Sequence, residues 1–346
     1  MLRKNYCLLD IAKLFFAVVV VAIHTNLFLQ PDGTVNKYFT TIFAEAAVPF
    51  FFIASGMFLG IKHEAASNKV NLWAVTQRYG LLALVWGGWY SLLSIAVDLF
   101  SVRFVNCGEI IRSQLLKSVL GSPGGTWYLV SLFFCVLVIA VLNKYIDLKK
   151  SERQLLIICG GLYLIPYIWW IDNSFLESLR STYFNIFSSK TLFVFFIIYV
   201  MIGFYYGIHQ SKIKNNSKVI ILMIGILCVS KLLIYDHIQT NAFLMIIYGL
   251  LSIAYNISVF CILVEFEPKN INTAWSKKCR SYSTIIYLSH YTVICGIKLL
   301  IQIMKIDFMY PKVMVFALVL LICFMVCRIV ERNSLLRKLF FLSGNT

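Results

Sequence analysis

Long apolar runs separated by short polar stretches make up nearly all of this 346-residue chain. Ten of them are long enough to cross about 30 Å of hydrocarbon as a helix. They lie at approximately 8–29, 39–61, 79–100, 126–146, 154–171, 190–208, 218–235, 242–264, 282–303 and 311–331. The runs are continuous, whereas the strands of a membrane barrel alternate apolar and polar positions. The pattern therefore predicts an all-α fold, a polytopic membrane helix bundle with about ten transmembrane helices. The longest polar connections fall at 62–77, 101–125, 172–189 and 265–281. Segment 107–128 reads as a short amphipathic helix and a Gly/Pro turn, either re-entering the membrane or lining a cavity. Segment 328–343 reads as an interfacial amphipathic helix. One membrane domain over 1–335, followed by a cytoplasmic interfacial tail over 336–346, describes the whole. No inverted repeat of the transporter kind stands out.

Composition agrees with the pattern. Hydrophobic residues make up 60% of the chain, charged residues 13%, and the mean hydropathy is +0.82. An ordinary soluble domain is excluded. A net charge of +16 would fit nucleic acid, but the bases punctuate the ends of the spans. With the N-terminus in the cytoplasm, 20 of the 31 Lys and Arg residues fall inside and 8 outside. Lys13, Lys231 and Lys298 lie within spans. This inside excess predicts a multi-pass membrane protein with both termini cytoplasmic, and no nucleic-acid partner. The first run follows Arg3 and Lys4, as a signal peptide would. It is too long, carries internal charges and lacks a cleavage pattern, so it reads as a retained helix. The ten cysteines form no CxxC pair and no metal spacing. Neither a metal site nor a structural disulfide is predicted.

Polar residues inside the apolar runs carry the candidate chemistry. Asp10, Lys13 and His24 share one face of the first run, within roughly 60° of one another at about 100° per residue. Ala17 and Val20 lie between them, and Lys13 and His24 are about 16 Å apart along a helix axis. Ionisable groups in a bilayer are costly and usually face the protein interior or a wet cavity. The imidazole of His24 is suited to take a proton from a hydroxyl. Glu45 lies at a matching depth in the second run and could orient that ring as a triad carboxylate does. Asp10 and Lys13 read either as an intrahelical pair or as a site where Lys13 meets a phosphate and Asp10 holds it. Lys69, Arg78, Lys277 and Lys278 would extend that basic mouth, or serve as cytoplasmic anchors. Ser283, Tyr287 and His290 share a face of the ninth run. Asp98, Lys231 and Lys298 sit toward outer span ends and are expected to snorkel to the surface.

Four segments in order resemble the acyltransferase-3 family of integral membrane proteins. DIAKLFFAVVVVAIH resembles its opening signature, a basic residue followed by ten residues and then a histidine. VPFFFIASGMFLG resembles its proline–aromatic–Ser-Gly stretch, and GTWYLVSLFF its Trp-aromatic-Leu entry into a middle span. SYSTIIYLSHYTV resembles its late Tyr-Leu-x-His segment. Two departures are visible. Lys13 stands where the family usually has Arg, so the bidentate fork is lost. The paired-Arg motif after the second span is reduced to Lys69 and Arg78.

The resemblance implies a membrane O-acyltransferase that moves an acyl group, acetyl in the simplest case, from cytoplasmic acyl-CoA to a hydroxyl on an outer cell-envelope acceptor. Taken with the polar residues above, this makes His24 and Glu45 the candidate catalytic residues, and Asp10, Lys13, Lys69, Arg78, Lys277 and Lys278 the candidate binders of the acyl-CoA (acetyl-CoA) donor. Trp127, Ser283, Tyr287 and His290 would line the substrate site. The wording AVPFFFIASG and IHT also resembles the membrane domain of the serine racemases of vancomycin-resistance clusters. That branch implies an alternative, an L-serine uptake or transport domain, and a possible fusion to a cytoplasmic soluble domain. The pyridoxal-phosphate barrel of those racemases is not in this chain, so no pyridoxal phosphate is expected in it.

Overall fold

The computed structural model describes residues 6–30, 32–65, 71–101, 126–168, 193–210, 216–238, 241–266, 272–304 and 312–341. These form eleven helices: α1 Cys7–His24, α2 Lys37–Ala65, α3 Leu72–Ser101, α4 Trp127–Tyr145, α5 Leu148–Ile168, α6 Phe193–His209, α7 Ser217–Tyr235, α8 Ala242–Glu265, α9 Thr273–Ile303, α10 Lys312–Arg332 and α11 Ser334–Phe341. Among the described residues the only β pairing is a single bridge, Leu29 to Val35. Eight of these helices (α1–α4 and α7–α10) are long and apolar enough to cross a membrane. The protein is a multi-pass membrane protein. Helix α5 opens on the charged run LKKSERQ, and α6 is apolar but 17 residues long. The loop segments 102–125 and 172–189, with Lys69, lie outside the described residues.

Helix starts follow a simple rule. The side-chain oxygens of Asn71, Asp147, Asn216, Asn241, Asn272 and Asn333 each accept backbone N–H groups of the first turn that follows. Such caps satisfy donors that the helix itself leaves open and contribute about 1 kcal/mol each.

The chain divides into two compact units. The first holds residues 1–36, 80–129 and 269–346, and is built on α1, most of α3, α9, α10 and α11. In it α1 and α9 run in the same direction, since Asp10 meets Ser276 and His24 meets His290. Helix α1 stops five residues before the apolar run does. Asn26 adopts a left-handed φ of 53°, its N–H bonds to the Ile23 carbonyl, and the Leu27 N–H bonds to that of Ala22. This is a Schellman closure, and it leaves His24 in the last turn of the helix. Phe340 of α11 is buried and packs on Trp86 of α3, with ring centres 4.8 Å apart. Residues 336–341 of the predicted tail thus belong to a helix docked through Phe340.

The second unit holds 37–79 and 130–268. Its centre is a close parallel pairing of α2 with α6. A Cβ added at Gly56 would stand 2.0 Å from the Val200 carbonyl oxygen, and one at Gly203 would stand 2.0 Å from that of Ile53. Gly60 and Gly207 repeat the contact one turn on, against Phe204 and Met57. Two GxxxG motifs, GMFLG and GFYYG, therefore face each other, and small residues are what let helix backbones approach in a membrane. Pro49 lies inside α2, and its ring cannot accept an ordinary turn before it. The preceding turn, Thr40–Ala44, is opened into a π-helical one.

Candidate functional site

The polar stripe of α1 faces α9, and polar groups gather at its two ends. At the end that the charge distribution assigns to the cytoplasm, Asp10 is buried and holds three partners. Its Oδ1 lies 3.3 Å from the Lys13 ammonium, and its Oδ2 accepts from the Ser276 hydroxyl at 3.0 Å. The Arg280 Nε stands 3.7 Å from Oδ2. One carboxylate between two cations leaves the trio with net positive charge. The Lys13 side chain is 13% exposed, while that of Arg280 is 51% exposed and presents its guanidinium to whatever approaches.

Sequence reading missed Ser276 and Arg280 because it began the ninth span at residue 282. Helix α9 begins at Thr273, capped by Asn272, more than two turns before the apolar run. Ser276 and Arg280 are four residues apart and so share the face toward Asp10. Lys277 and Lys278 point off that face and are exposed.

At the other end His24 and His290 stand together, ring centres 5.2 Å apart. His290 is fully buried. Its Nδ1 lies 2.7 Å from the Tyr287 carbonyl and 3.2 Å from that of Ile286. Tyr291 lies edge-on to His24 at 6.5 Å and to Tyr90 at 5.3 Å. The Tyr90 hydroxyl donates to the Leu288 carbonyl, and the Trp89 indole donates to the Thr292 hydroxyl at 3.0 Å. Helix α3 thereby holds the rotation of α9 about its axis. Tyr287 packs on both His290 and Tyr128, at 6.0 and 5.4 Å. Trp127 is half-buried, and the ring that meets Tyr287 is that of its neighbour Tyr128. Ser283 is buried, and its hydroxyl donates to the Arg280 carbonyl one turn back.

Glu45 belongs to a second cluster, inside the second unit. Its Oε2 lies 2.9 Å from the Lys231 ammonium, and the Tyr248 hydroxyl donates to both carboxylate oxygens at 2.9 Å. Lys231 does not snorkel as expected: it is fully buried. Its ammonium also donates to the Thr41 carbonyl at 3.2 Å and stands over the rings of Tyr255 and Tyr248, at 4.9 and 5.2 Å. The Tyr255 hydroxyl donates to the Ile42 carbonyl at 3.0 Å. The π turn supplies those two carbonyls, since a widened turn loosens the ordinary i to i−4 ladder. Depth along α7 gave no warning of this, because every partner comes from another helix. Arg78 is exposed on the first turns of α3, in the same unit. Among the described residues no group of His, Cys, Asp and Glu is arranged to hold a metal ion.

The profile of the acyltransferase-3 family, described as an acyltransferase domain, matches residues 8–332. The chain belongs to the acyltransferase-3 family. The matched range takes in both ends of the stripe and the Glu45 cluster. An amino-acid racemase of Enterococcus faecalis is 23% identical over 246 residues, covering 68% of this chain and 33% of that protein. The chain thus spans about a third of the length of the curated relative it matches. No solved structure matches this acyltransferase-3 chain.

Proposed function

We propose that this acyltransferase-3 protein moves an acyl group, acetyl in the simplest case, from cytoplasmic acyl-CoA to a hydroxyl on an outer envelope acceptor. The observation that carries the reading is the shared α1/α9 face, cationic at one end and imidazole-bearing at the other. Lys13 and Arg280 suit the phosphates of CoA, with Lys277 and Lys278 as solvent-facing charges beside them. The stretch from Lys13 to His24, about 16 Å, suits a donor anchored at its phosphates with its thioester arm extended. His24 takes the proton of the acceptor hydroxyl as the oxygen attacks the thioester carbonyl. The new C–O bond forms, the C–S bond breaks, and the proton passes from His24 to the departing CoA thiolate. Tyr287, Ser283 and Trp127 are proposed to line the acyl and acceptor path. Glu45 is left to Lys231 and Tyr248, which already engage its carboxylate.

The test is thiol release from acetyl-CoA by purified protein with a hydroxyl acceptor present. Wild type should release thiol and His24→Ala should lose the activity by at least about 100-fold. Equal release by the two would remove His24 as the base.

The likeness to an amino-acid racemase favours one further reading, movement of L-serine across the membrane. The Lys231–Glu45 pair offers groups complementary to the carboxylate and amine of an amino acid. Serine uptake into proteoliposomes, lost in Glu45→Gln, would support it. CoA binding without uptake would decide for acyl transfer.

A further inference from the structure

The two ring nitrogens of His290 meet different surroundings. Nδ1 lies against the carbonyl oxygens of Tyr287 and Ile286. Carbonyl oxygens accept and never donate, so Nδ1 carries the ring hydrogen. In that tautomer Nε2 offers a lone pair, and it is buried with no hydrogen-bond partner. Native proteins leave few buried acceptors bare, because each costs free energy. The imidazole beside it is that of His24, ring centres 5.2 Å apart and planes tilted by 41°. Two imidazoles joined N–H to N at about 2.9 Å have ring centres about 5 Å apart. The observed separation of the ring centres is within the range of such a pair.

We propose that His290 is the positioning residue for His24: its Nε2 accepts the ring N–H of His24 and so fixes which His24 nitrogen faces the acceptor hydroxyl. The proton path rests on the transfer reading above, whereas the pairing does not. When the His24 lone pair takes the hydroxyl proton, the resulting cation donates its second N–H to His290. The proton then leaves from the reacting nitrogen to the CoA thiolate, and His290 keeps its own hydrogen throughout. A neutral acceptor thus does for His24 what a carboxylate does in a triad, orienting the ring and stabilising its charged form. The backbone carbonyls behind Nδ1 hold His290 in the one tautomer that can do this.

The experiment uses the full chain in lipid nanodiscs, labelled with 15N in its five histidines. Solid-state NMR compares wild type, His290→Gln and His290→Leu, with signals assigned by single-histidine variants. The expected wild type shows His290 protonated at Nδ1, and a coupling across the hydrogen bond from its Nε2 to a ring nitrogen of His24. Gln offers a carbonyl oxygen at similar reach, so H290Q retains the His24 tautomer. Leu offers none, so H290L releases His24 into a mixture. Thiol release should follow, with kcat down about 100-fold in H290L, partly restored in H290Q, and KM for acetyl-CoA little changed.

An unchanged His24 signal in folded H290L overturns the proposal, as does a wild-type His290 protonated at Nε2. If H290L does not fold, the wild-type coupling and H290Q decide in the same way. Coupling without thiol release overturns the transfer reading and leaves the pairing standing. Thiol release without coupling does the reverse.

Discussion

Lys231 is wholly buried, and its ammonium lies 2.9 Å from a carboxylate oxygen of Glu45, whose side chain is 30% exposed. The unequal burial predicts unequal losses. Glu45→Gln strands a buried cation with one carbonyl and two aromatic faces, and should cost about 3–5 kcal/mol. Lys231→Met leaves Glu45 with the Tyr248 hydroxyl and access to water, and should cost about 1–2 kcal/mol. The double variant should be close to Lys231→Met alone, since no charge is then stranded. Unfolding of the three variants in detergent checks this. Additive losses would show that the two groups do not depend on each other.

The pairing of α2 with α6 sets a steric prediction. At Gly56 and Gly203 the atoms that an added methyl would meet are backbone, at 2.0 Å, so no side-chain rotation can relieve it. Gly56→Ala or Gly203→Ala should destabilise by about 1–3 kcal/mol or prevent folding. Gly88 in α3 has nothing within 4 Å, so Gly88→Ala should be neutral or slightly stabilising. Thermal unfolding of these variants side by side separates close approach from general intolerance of helix substitutions.

What the amino-acid order reveals depends on the range of the interaction. The stripe of Asp10, Lys13 and His24 was legible because three charged or polar groups in an apolar run share one helical phase. The partners of that stripe were only half legible. His290 stood out inside a span, but Arg280 and Ser276 fell in what hydropathy reads as a connection. A helix continues past the hydrocarbon wherever its backbone bonds and its cap persist, and Asn272 was the available signal. Lys231 was misread for a related reason. Depth along one span says where a charge sits, whereas burial depends on Thr41, Glu45, Tyr248 and Tyr255, brought together only by packing. GMFLG and GFYYG are plain in the chain, yet which helix each meets is a matter of the fold.

The turn after α1 predicts a local pH response. The Thr34 N–H and hydroxyl both donate to Asp32 Oδ1, at 2.9 and 2.7 Å. Those bonds hold the Asp32 carboxyl below its ordinary value of 3.8. A depressed folded value means the stabilisation is present above that ordinary value and is lost as pH falls through the folded one. Asp32 is fully exposed, so the response should stay confined to this turn. In NMR spectra taken from neutral pH downward, the Thr34 amide should keep its hydrogen bond through the ordinary carboxyl value of 3.8 and lose it only below that, and Asp32→Asn should remove the transition. A transition that persists in Asp32→Asn would assign it to another group.

Arg280 offers the sharpest test of the cationic end. Lysine at position 13 provides a point charge, whereas a guanidinium can meet two phosphate oxygens at once. Arg280 sits at the same carboxylate as Lys13 and is half exposed, so it can supply the fork that position 13 lacks. Arg280→Ala should weaken CoA binding about tenfold, or about 1.4 kcal/mol, and Arg280→Lys should fall between it and wild type. Because the contact is ionic and reaches solvent, the difference between wild type and Arg280→Ala should shrink as salt is raised. Stability should change little, since Asp10 keeps Lys13 and the Ser276 hydroxyl. Calorimetry with CoA, and with dephospho-CoA as a control for the 3′-phosphate, measures each of these. If Arg280→Ala lowers the melting temperature and leaves CoA affinity unchanged, Arg280 serves only to pin α9 to α1, and the phosphate anchor is Lys13 alone.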